Sequence, residues 1–389
     1  MKIAQVCPYF LPSEGGVERH VLNTSEELAR RGHEVHVFTN AQSRDMGLLP
    51  SQDQVRNIPV HRFKPVAKLG EFGSLWPGFF PEILAGGFDV IHAHSFRHPH
   101  TDISAWSGRL SGSKSVLTSH SPFHPPGVRG PLARGLVPLY DRVVAPFTLR
   151  AFDNVVALTP GEAELLASLG APRGRISVIP NGVESIHFQT ADYRAFERKF
   201  GLDGTVLLYL GRINRTKGLD TLLQSFAYVA KEHNDARLVL AGPATSKEEV
   251  DYLDMLNQLT QKLGVSQRVT FTGRLTEEDK LAALERCSLF VLPSVYEPFG
   301  IVLLEAAAHG KVIVSTRTEG PQSIIRHGVN GVLVQPGDPT ALAVSLVRVL
   351  SDEPYRARLS SEARAMALGY TWGAIVDRLE SIYRGEVPS

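Results

Sequence analysis

The chain has 389 residues, 43% of them hydrophobic and 21% charged, and a formal net charge of +1. That length exceeds a single hydrophobic core and predicts two domains of roughly 150 to 200 residues, each with enough apolar content for its own core. The near-neutral balance excludes a dedicated nucleic-acid binder, which needs clustered excess Lys and Arg to displace phosphate counterions, and no run approaches the roughly 18 apolar residues that span a bilayer.

In chain order, the opening MKIAQVCPYFLP reads as a short strand broken by Pro8 and Pro12, without the basic and long apolar regions of an export signal. Cys7 and Cys287 are expected in separate apolar strands as reduced thiols, and a cytoplasmic protein is expected. Residues Val17 to about Arg31 predict a helix with Val17, Val21, Thr24 and Leu28 on one face, while Glu26 and Glu27 precede Arg30 and Arg31 by four residues on the outside. Gly32 supplies the left-handed end, and EVHVFTN, DVIHAHS, SVLTSHS and NVVALTP follow as strands in β-α-β order. Between residues 180 and 200, IPNGVESIHFQTADYRAF holds a proline, an Asn-Gly turn and no amphipathic period, which marks a hinge. Strand and helix patterns restart at TVLLYLGR near residue 205 and continue through ARLVLAG, RVTFTGR, SLFVLPS and KVIVSTR. An α/β protein with two doubly wound, Rossmann-like domains follows, residues 1–183 and 184–370.

In open α/β sheets ligands bind beyond the carboxyl ends of the strands, so the strand exits carry the functional information. After the first strand, LPSEGGVERH offers Gly15 and Gly16 for close backbone approach and a helix N-terminus that favours anions; the same pair also serves as a plain flexible turn. In GRINRTKG, after Leu210, Arg212 and Lys217 can clamp a pyrophosphate and neutralise charge growing on a leaving diphosphate. Standing alone, that loop reads better as a solvated basic surface, since exposed Lys and Arg are common; its weight comes from the other motifs. The stretch PSVYEPFGIVLLEAAAHG places Glu297 in a proline-bounded loop and Glu305 on a helix that starts near Gly300. The amides of Phe299, Gly300 and Ile301 can face a phosphate there, while the two carboxylates accept hydrogen bonds from sugar and ribose hydroxyls. Glu305 in the apolar run LLEAAA favours the functional reading, because an unpaired charge there would be costly.

Taken together, GGVERHV, HAHS, TSH, IPNGV, GRINRTKG and EPFGIVLLEA resemble the retaining glycosyltransferases of family 4, the large GT-B group also called glycosyl transferase group 1. The matches run in family order over nearly the whole chain. The resemblance implies two Rossmann-like domains facing a central cleft, with the nucleoside-diphosphate sugar on the C-terminal domain and the acceptor on the N-terminal one. It also implies diphosphate contacts from Arg212 and Lys217, a donor-sugar contact from Glu297, a ribose contact from Glu305, a contact to the reacting end of the sugar from His120, and approach of Gly16 to the phosphates. The C-terminal helix, residues 371–389, would pack back on the first domain. One departure from the family stands after KVIVSTRTEG, where Pro321 follows Gly320 and Ser323 occupies the place of an expected glutamate.

His92, His94, His98, His100, His120 and His124 cluster in the first half, a composition that suits a metal. Yet His92 and His94 alternate along a strand and no Asp-x-Asp pair occurs to chelate a diphosphate-bound cation, so no essential metal or other cofactor is expected. The motif positions offer no carboxylate nucleophile on the acceptor side, so retention by a front-face route is expected, the departing diphosphate oxygen taking the acceptor proton. The expected reaction moves a hexose-type sugar from UDP or GDP to a glycan, lipid-linked or small alcohol acceptor. A glycan or disaccharide phosphorylase on the same architecture and a non-catalytic sugar-nucleotide sensor are the alternatives. Arg62, Lys64 and Lys68 interleave with Phe63, Phe72, Trp76, Phe79 and Phe80, and Arg129, Arg134, Arg142 and Arg150 add a second basic stretch. That mix is compatible with peripheral membrane contact, although a packed aromatic segment with a basic rim is the plainer reading.

Overall fold

A computed structural model describes residues 1–13, 15–43, 46–70, 73–120 and 131–386, with the backbone alone for 131–134. The chain divides into two units: unit 1 is Met1–Gly182 with Trp372–Ser389, and unit 2 is Val183–Thr371.

Unit 1 is built on β1 (Lys2–Cys7), β2 (Glu34–Asn40), β3 (Gln52–Val55), β4 (Ile58–Phe63), β7 (Val90–His94), β8 (Lys114–Thr118), β9 (Asn154–Ala157) and β10 (Ile176–Val178), with β5 (Ala67–Lys68) and β6 (Ser74–Leu75) as a separate small hairpin. The sheet order is β10-β9-β8-β7-β1-β2-β4-β3, parallel except for the β3–β4 edge pair. The chain winds outward from β1 through β2 to β4 and returns to β7 on the other side, so the β1/β7 boundary is the topological switch point. The central strands are buried nearly throughout because helices cover both faces of a parallel sheet, and among their apolar residues they carry the buried Gln5, His92 and His94. These helices are α1 (Gly16–Arg30), α2 (Phe79–Ala85), α3 (Pro99–Ser111), α4 (Pro131–Val143), α5 (Ala145–Ala151) and α6 (Pro160–Ser168). Val21 and Leu28 of α1 are fully buried, and the left-handed Gly32 (φ 85°) follows the helix.

Unit 2 has the strand order β13-β12-β11-β14-β15-β16, all parallel: β11 (Thr205–Leu210), β12 (Ala236–Ala241), β13 (Val269–Gly273), β14 (Leu289–Leu292), β15 (Val312–Thr316) and β16 (Val332–Val334). Its helices are α7 (Arg194–Phe200), α8 (Leu219–Glu232), α9 (Lys247–Lys262), α10 (Glu277–Arg286), α11 (Ile301–Ala308), α12 (Glu319–Ile324), α13 (Pro339–Ser351) and α14 (Glu353–Leu368). The switch point here is β11/β14.

The last helix, α15 (Trp372–Tyr383), belongs to unit 1, where Trp372, Ile375, Val376, Leu379 and Ile382 pack with Ile3, Val90 and Val156. Arg31 and His33 hold its polar side through Glu380, at 3.0 and 2.5 Å.

Several local expectations need correction. Cys287 follows α10 rather than lying in a strand; it and Cys7 are buried free thiols. The hinge segment contains the short helix α7 at its end. The described part of the aromatic segment 60–80 takes the plainer of its two expected forms and is packed: β4 occupies its start, Trp76 and Phe79 are fully buried, and Arg62 is buried against Asp53 at 2.7 Å, while Val66 and Leu69 stay exposed. Phe72, His124, Arg129 and the Arg134 side chain lie outside the described residues. Among the described residues no helix is long and apolar enough to cross a membrane.

Candidate active site

In unit 2 the exits of β11 and β14, adjacent across the switch point, are stitched together by backbone. The Thr216 carbonyl accepts from the amides of Val295 (2.9 Å) and Tyr296 (3.2 Å). Gly218, left-handed at φ 62°, caps α8 with so little room that a Cβ there would lie 2.4 Å from the Pro293 oxygen. This junction brings Lys217 to Glu297: Nζ donates to Oε2 at 2.7 Å, and both side chains are largely buried. Gly320 fixes the other side of the loop, its amide donating to the Glu297 carbonyl at 2.9 Å. A Cβ on Gly320 would meet the Phe299 backbone at 2.3 Å, so α12 approaches this loop as only glycine permits. Ser323, where the family pattern has glutamate, bonds back to the Gly320 carbonyl at 2.6 Å.

Arg212 is held elsewhere: its guanidinium donates to Oε1 of Glu249, on α9, and stays mostly exposed. Burial works against ionisation of Glu249, but the Thr245 and Ser246 amides and Arg212 outweigh it and bring its carboxyl down to about 2. The Tyr209 hydroxyl links these groups, donating to the Arg212 carbonyl at 2.8 Å; burial and the Glu297 charge raise its pKa.

Phe299 and Gly300 lead into α11, Gly300 as its left-handed cap (φ 87°) and Ile301 as its first residue. Glu305 lies one turn on, buried, with Lys280 Nζ at 2.7 Å and His187 Nε2 at 3.6 Å. Burial takes the His187 pKa down to about 4, against the pull of Glu305. The cost of a carboxylate in LLEAAA is therefore met by an ammonium from α10. Lys280 and Glu249 were missed from sequence because each comes from another element with no local pattern marking it, and Tyr209 was missed because it reads as one more residue of a buried strand.

In unit 1, Gly15 is extended and Gly16 opens α1; a Cβ on Gly16 would meet no neighbour within 4 Å. One turn on, the buried His20 ring packs edge-on against His120 (centroids 4.7 Å apart) and lies 5.4 Å from His94. His120 follows β8 at φ 51°, and Ser95 and Arg97, beyond β7, stand at 75° and 67°. Three non-glycine left-handed residues at two adjacent strand exits are backbone strain of the kind that accumulates at functional sites. Arg97 is locked by both oxygens of Asp141, at 2.7 and 2.8 Å.

His94 is hydrogen-bonded on both sides, to His120 Nε2 (2.9 Å) and to Gln5 Oε1 (2.7 Å), and His20 Nδ1 meets Asn181 Oδ1 at 2.8 Å. His92 is sealed between Tyr383 and Thr118. Burial lowers the pKa of His20 to about 4 and those of His92, His94 and His120 well below the usual imidazole value, so the cluster is neutral at physiological pH. Thus the structure gathers Gly16 and His120 in unit 1 and Lys217, Glu297, Phe299, Gly300 and Ile301 in unit 2, while Arg212 and Glu305 have ionic partners of their own.

The family model for Glycosyltransferase Family 4 matches residues 14–185, and that for glycosyl transferases group 1 matches residues 193–366. A D-inositol 3-phosphate glycosyltransferase of Acidothermus cellulolyticus is 31% identical over 395 residues, 95% of this chain and 85% of that one. The chain belongs to the family 4, group 1 glycosyltransferases. A phosphatidyl-myo-inositol mannosyltransferase of Mycobacterium leprae is 26% identical, covering 98% of this glycosyltransferase and 96% of its own length. HepE of Anabaena, crystallised with UDP and glucose, superposes with a TM-score of 0.77 at 23% identity over 99% of this chain and 100% of its own. That likeness is one of fold, and it is the GT-B fold expected from the motifs.

Proposed function

We propose that this glycosyltransferase moves a hexose-type sugar from a nucleoside diphosphate, UDP or GDP, to an alcohol acceptor with retention of configuration and without a metal at the diphosphate. In this reading unit 2 holds the donor and unit 1 the acceptor. The Lys217–Glu297 pair at the β11/β14 switch point carries it, because it sets a cation for the diphosphate beside an acceptor for sugar hydroxyls. HepE, of the same fold, was crystallised with UDP and glucose. The two relatives' names specify inositol-based acceptors, which are alcohols.

In the reaction, the bond from the sugar's anomeric carbon to the diphosphate oxygen breaks, and the acceptor oxygen bonds to that carbon on the same face. The departing oxygen takes the acceptor's proton. Lys217, Arg212 and the amides of Phe299, Gly300 and Ile301 stabilise its charge, and Glu305 binds the ribose. His120, a neutral imidazole, orients the reacting end of the sugar, and the open backbone at Gly16 admits the phosphates. A lipid-linked acceptor and peripheral membrane contact belong to the proposal at α4–α5, where Leu136, Leu139, Val143 and Phe147 are exposed beside Arg142 and Arg150. A cavity of about 490 Å³ opens there. The buried reduced cysteines suit a cytoplasmic location.

A thermal melt with UDP, GDP and their sugar conjugates in EDTA tests the donor site, since a ligand of the native state raises the transition. Transfer to an alcohol with the product anomer read by NMR tests the chemistry. No shift with any nucleotide, or an inverted anomer, would overturn the reading; flotation with anionic vesicles at low salt decides the membrane contact.

A further inference from the structure

The histidine cluster of unit 1 has more chemistry than one positioned imidazole requires. Ligand nitrogens of His20, His94 and His120 all lie within 4.8 Å of one another. His20 is 1% exposed, and its Nε2 has no hydrogen-bond partner among the described residues. The surrounding amides settle which nitrogens carry lone pairs. Oδ1 of Asn181 can only accept, so His20 is protonated on Nδ1 and its buried Nε2 carries the lone pair. Oε1 of Gln5 likewise takes the Nε2 proton of His94, leaving Nδ1 as the lone pair that faces His120. Two imidazoles oriented by carbonyl oxygens behind them, with a third in reach, form the outer-shell arrangement of histidine metal sites.

We propose that His20 Nε2, His94 Nδ1 and His120 Nε2 bind a divalent late-transition-metal ion of the zinc class. Imidazole donors select this class, and three of them leave one position open for water or an anion. At metal–nitrogen distances of about 2.0–2.1 Å a tetrahedral ion wants its nitrogens about 3.4 Å apart, so the widest pair must draw in while His94 Nδ1 and His120 Nε2, now 2.9 Å apart, open slightly. The proton count balances without release: the proton that His120 Nε2 donates to His94 moves to His120 Nδ1, and all three rings stay neutral. All three are already neutral at physiological pH, so the ion does not compete with imidazole protonation. The set contains no carboxylate, so the ion keeps both positive charges. Binding also removes His120 from the sugar. This consequence, which rests on the role proposed above for His120, makes the ion an inhibitor of transfer, away from the diphosphate.

The test is a titration of EDTA-stripped, dialysed full-length protein with Co²⁺, followed by displacement with Zn²⁺. One equivalent should give the intense visible bands of a four-coordinate nitrogen site, which Zn²⁺ bleaches. His20→Gln should abolish the bands, and Asn181→Ala, which frees the His20 ring, should weaken binding about 10- to 100-fold. Absence of the bands in the wild-type protein, or their survival in a folded His20→Gln variant, overturns the site. Zn²⁺ inhibition of transfer at the same occupancy supports its consequence. Stoichiometric binding without inhibition keeps the site and removes His120 from the reaction instead.

Discussion

Acid should loosen unit 1 through its histidines. His20 is held near pKa 4 when folded, against about 6.5 in an unfolded chain. Because the folded value is the lower one, the unfolded state binds the extra proton. The stability tied to keeping the ring neutral is present above about pH 6.5 and is lost as pH falls toward 4. Over that window the slope is about 1.4 kcal/mol per pH unit, so at pH 5 His20 alone costs about 2 kcal/mol. His100, lowered to about 3 by the same burial, adds a similar amount, and His92, His94 and His120 act in the same direction. The chain is suited to the measurement because all three tryptophans, Trp76, Trp106 and Trp372, lie in unit 1. Urea unfolding in EDTA, followed by tryptophan fluorescence at pH 7.5 and pH 5, should show a lower midpoint at pH 5. A folded His20→Gln variant should have a shallower pH slope by about 1.4 kcal/mol per unit. An unchanged wild-type midpoint, or an equal slope in the variant, would refute a neutral buried His20.

Two further substitutions probe unit 2. Lys217→Met should lower kcat about 100-fold or more while leaving the tryptophan-detected transition of unit 1 in place, since it removes a cation from the leaving group rather than from a core; a fall of less than tenfold would take Lys217 out of the chemistry. Gly320→Ala should destabilise unit 2 by about 1–3 kcal/mol, because its Cβ would overlap the Phe299 backbone, and should raise the KM for donor together with that loss. Circular dichroism melts and donor kinetics on the same sample read both effects, and a neutral substitution would mean that the two loops are not in contact.

The central strands were legible because parallel strands buried on both faces are continuous apolar runs, such as VLLYL and LFVL. The β3–β4 edge was not, since QDQV is polar and mostly exposed and is held by antiparallel backbone pairing and the Asp53–Arg62 ion pair rather than by an apolar run. β16 is three residues, too short to show a period. In the candidate site, the strand-exit loops that bring Lys217 to Glu297 were readable from glycine, charge and spacing. His20 was hidden for a physical reason: it sits on a helix, beside Val21, and joins a histidine cluster only where β7 and β8, more than 70 residues later, bring His94 and His120 to it. Lys280 and Glu249 are similar, as tertiary partners that neutralise a predicted residue without any local motif.

The ion pairs also bear on how a diphosphate would be held in the proposed donor site. Arg212 is balanced by Glu249 and Lys217 by Glu297, so these four groups sum to zero charge before any ligand arrives. Long-range attraction from them is therefore small, and the grip must come from short hydrogen bonds and from the amides at the start of α11. Donor affinity should then weaken less than about threefold between 50 and 500 mM salt, because there is little net field to screen. Glu297→Gln breaks the balance in an informative direction. It leaves Lys217 uncompensated beside the diphosphate, and a unit charge removed at roughly 6 Å in a medium of intermediate dielectric changes binding by about 1 kcal/mol, about fivefold. UDP should bind this variant more tightly and with greater salt dependence, while transfer falls because the sugar hydroxyls lose their acceptor. Calorimetric titration of UDP at two salt concentrations decides it: weaker binding to Glu297→Gln would mean that Glu297 orients Lys217 toward the phosphates rather than opposing them.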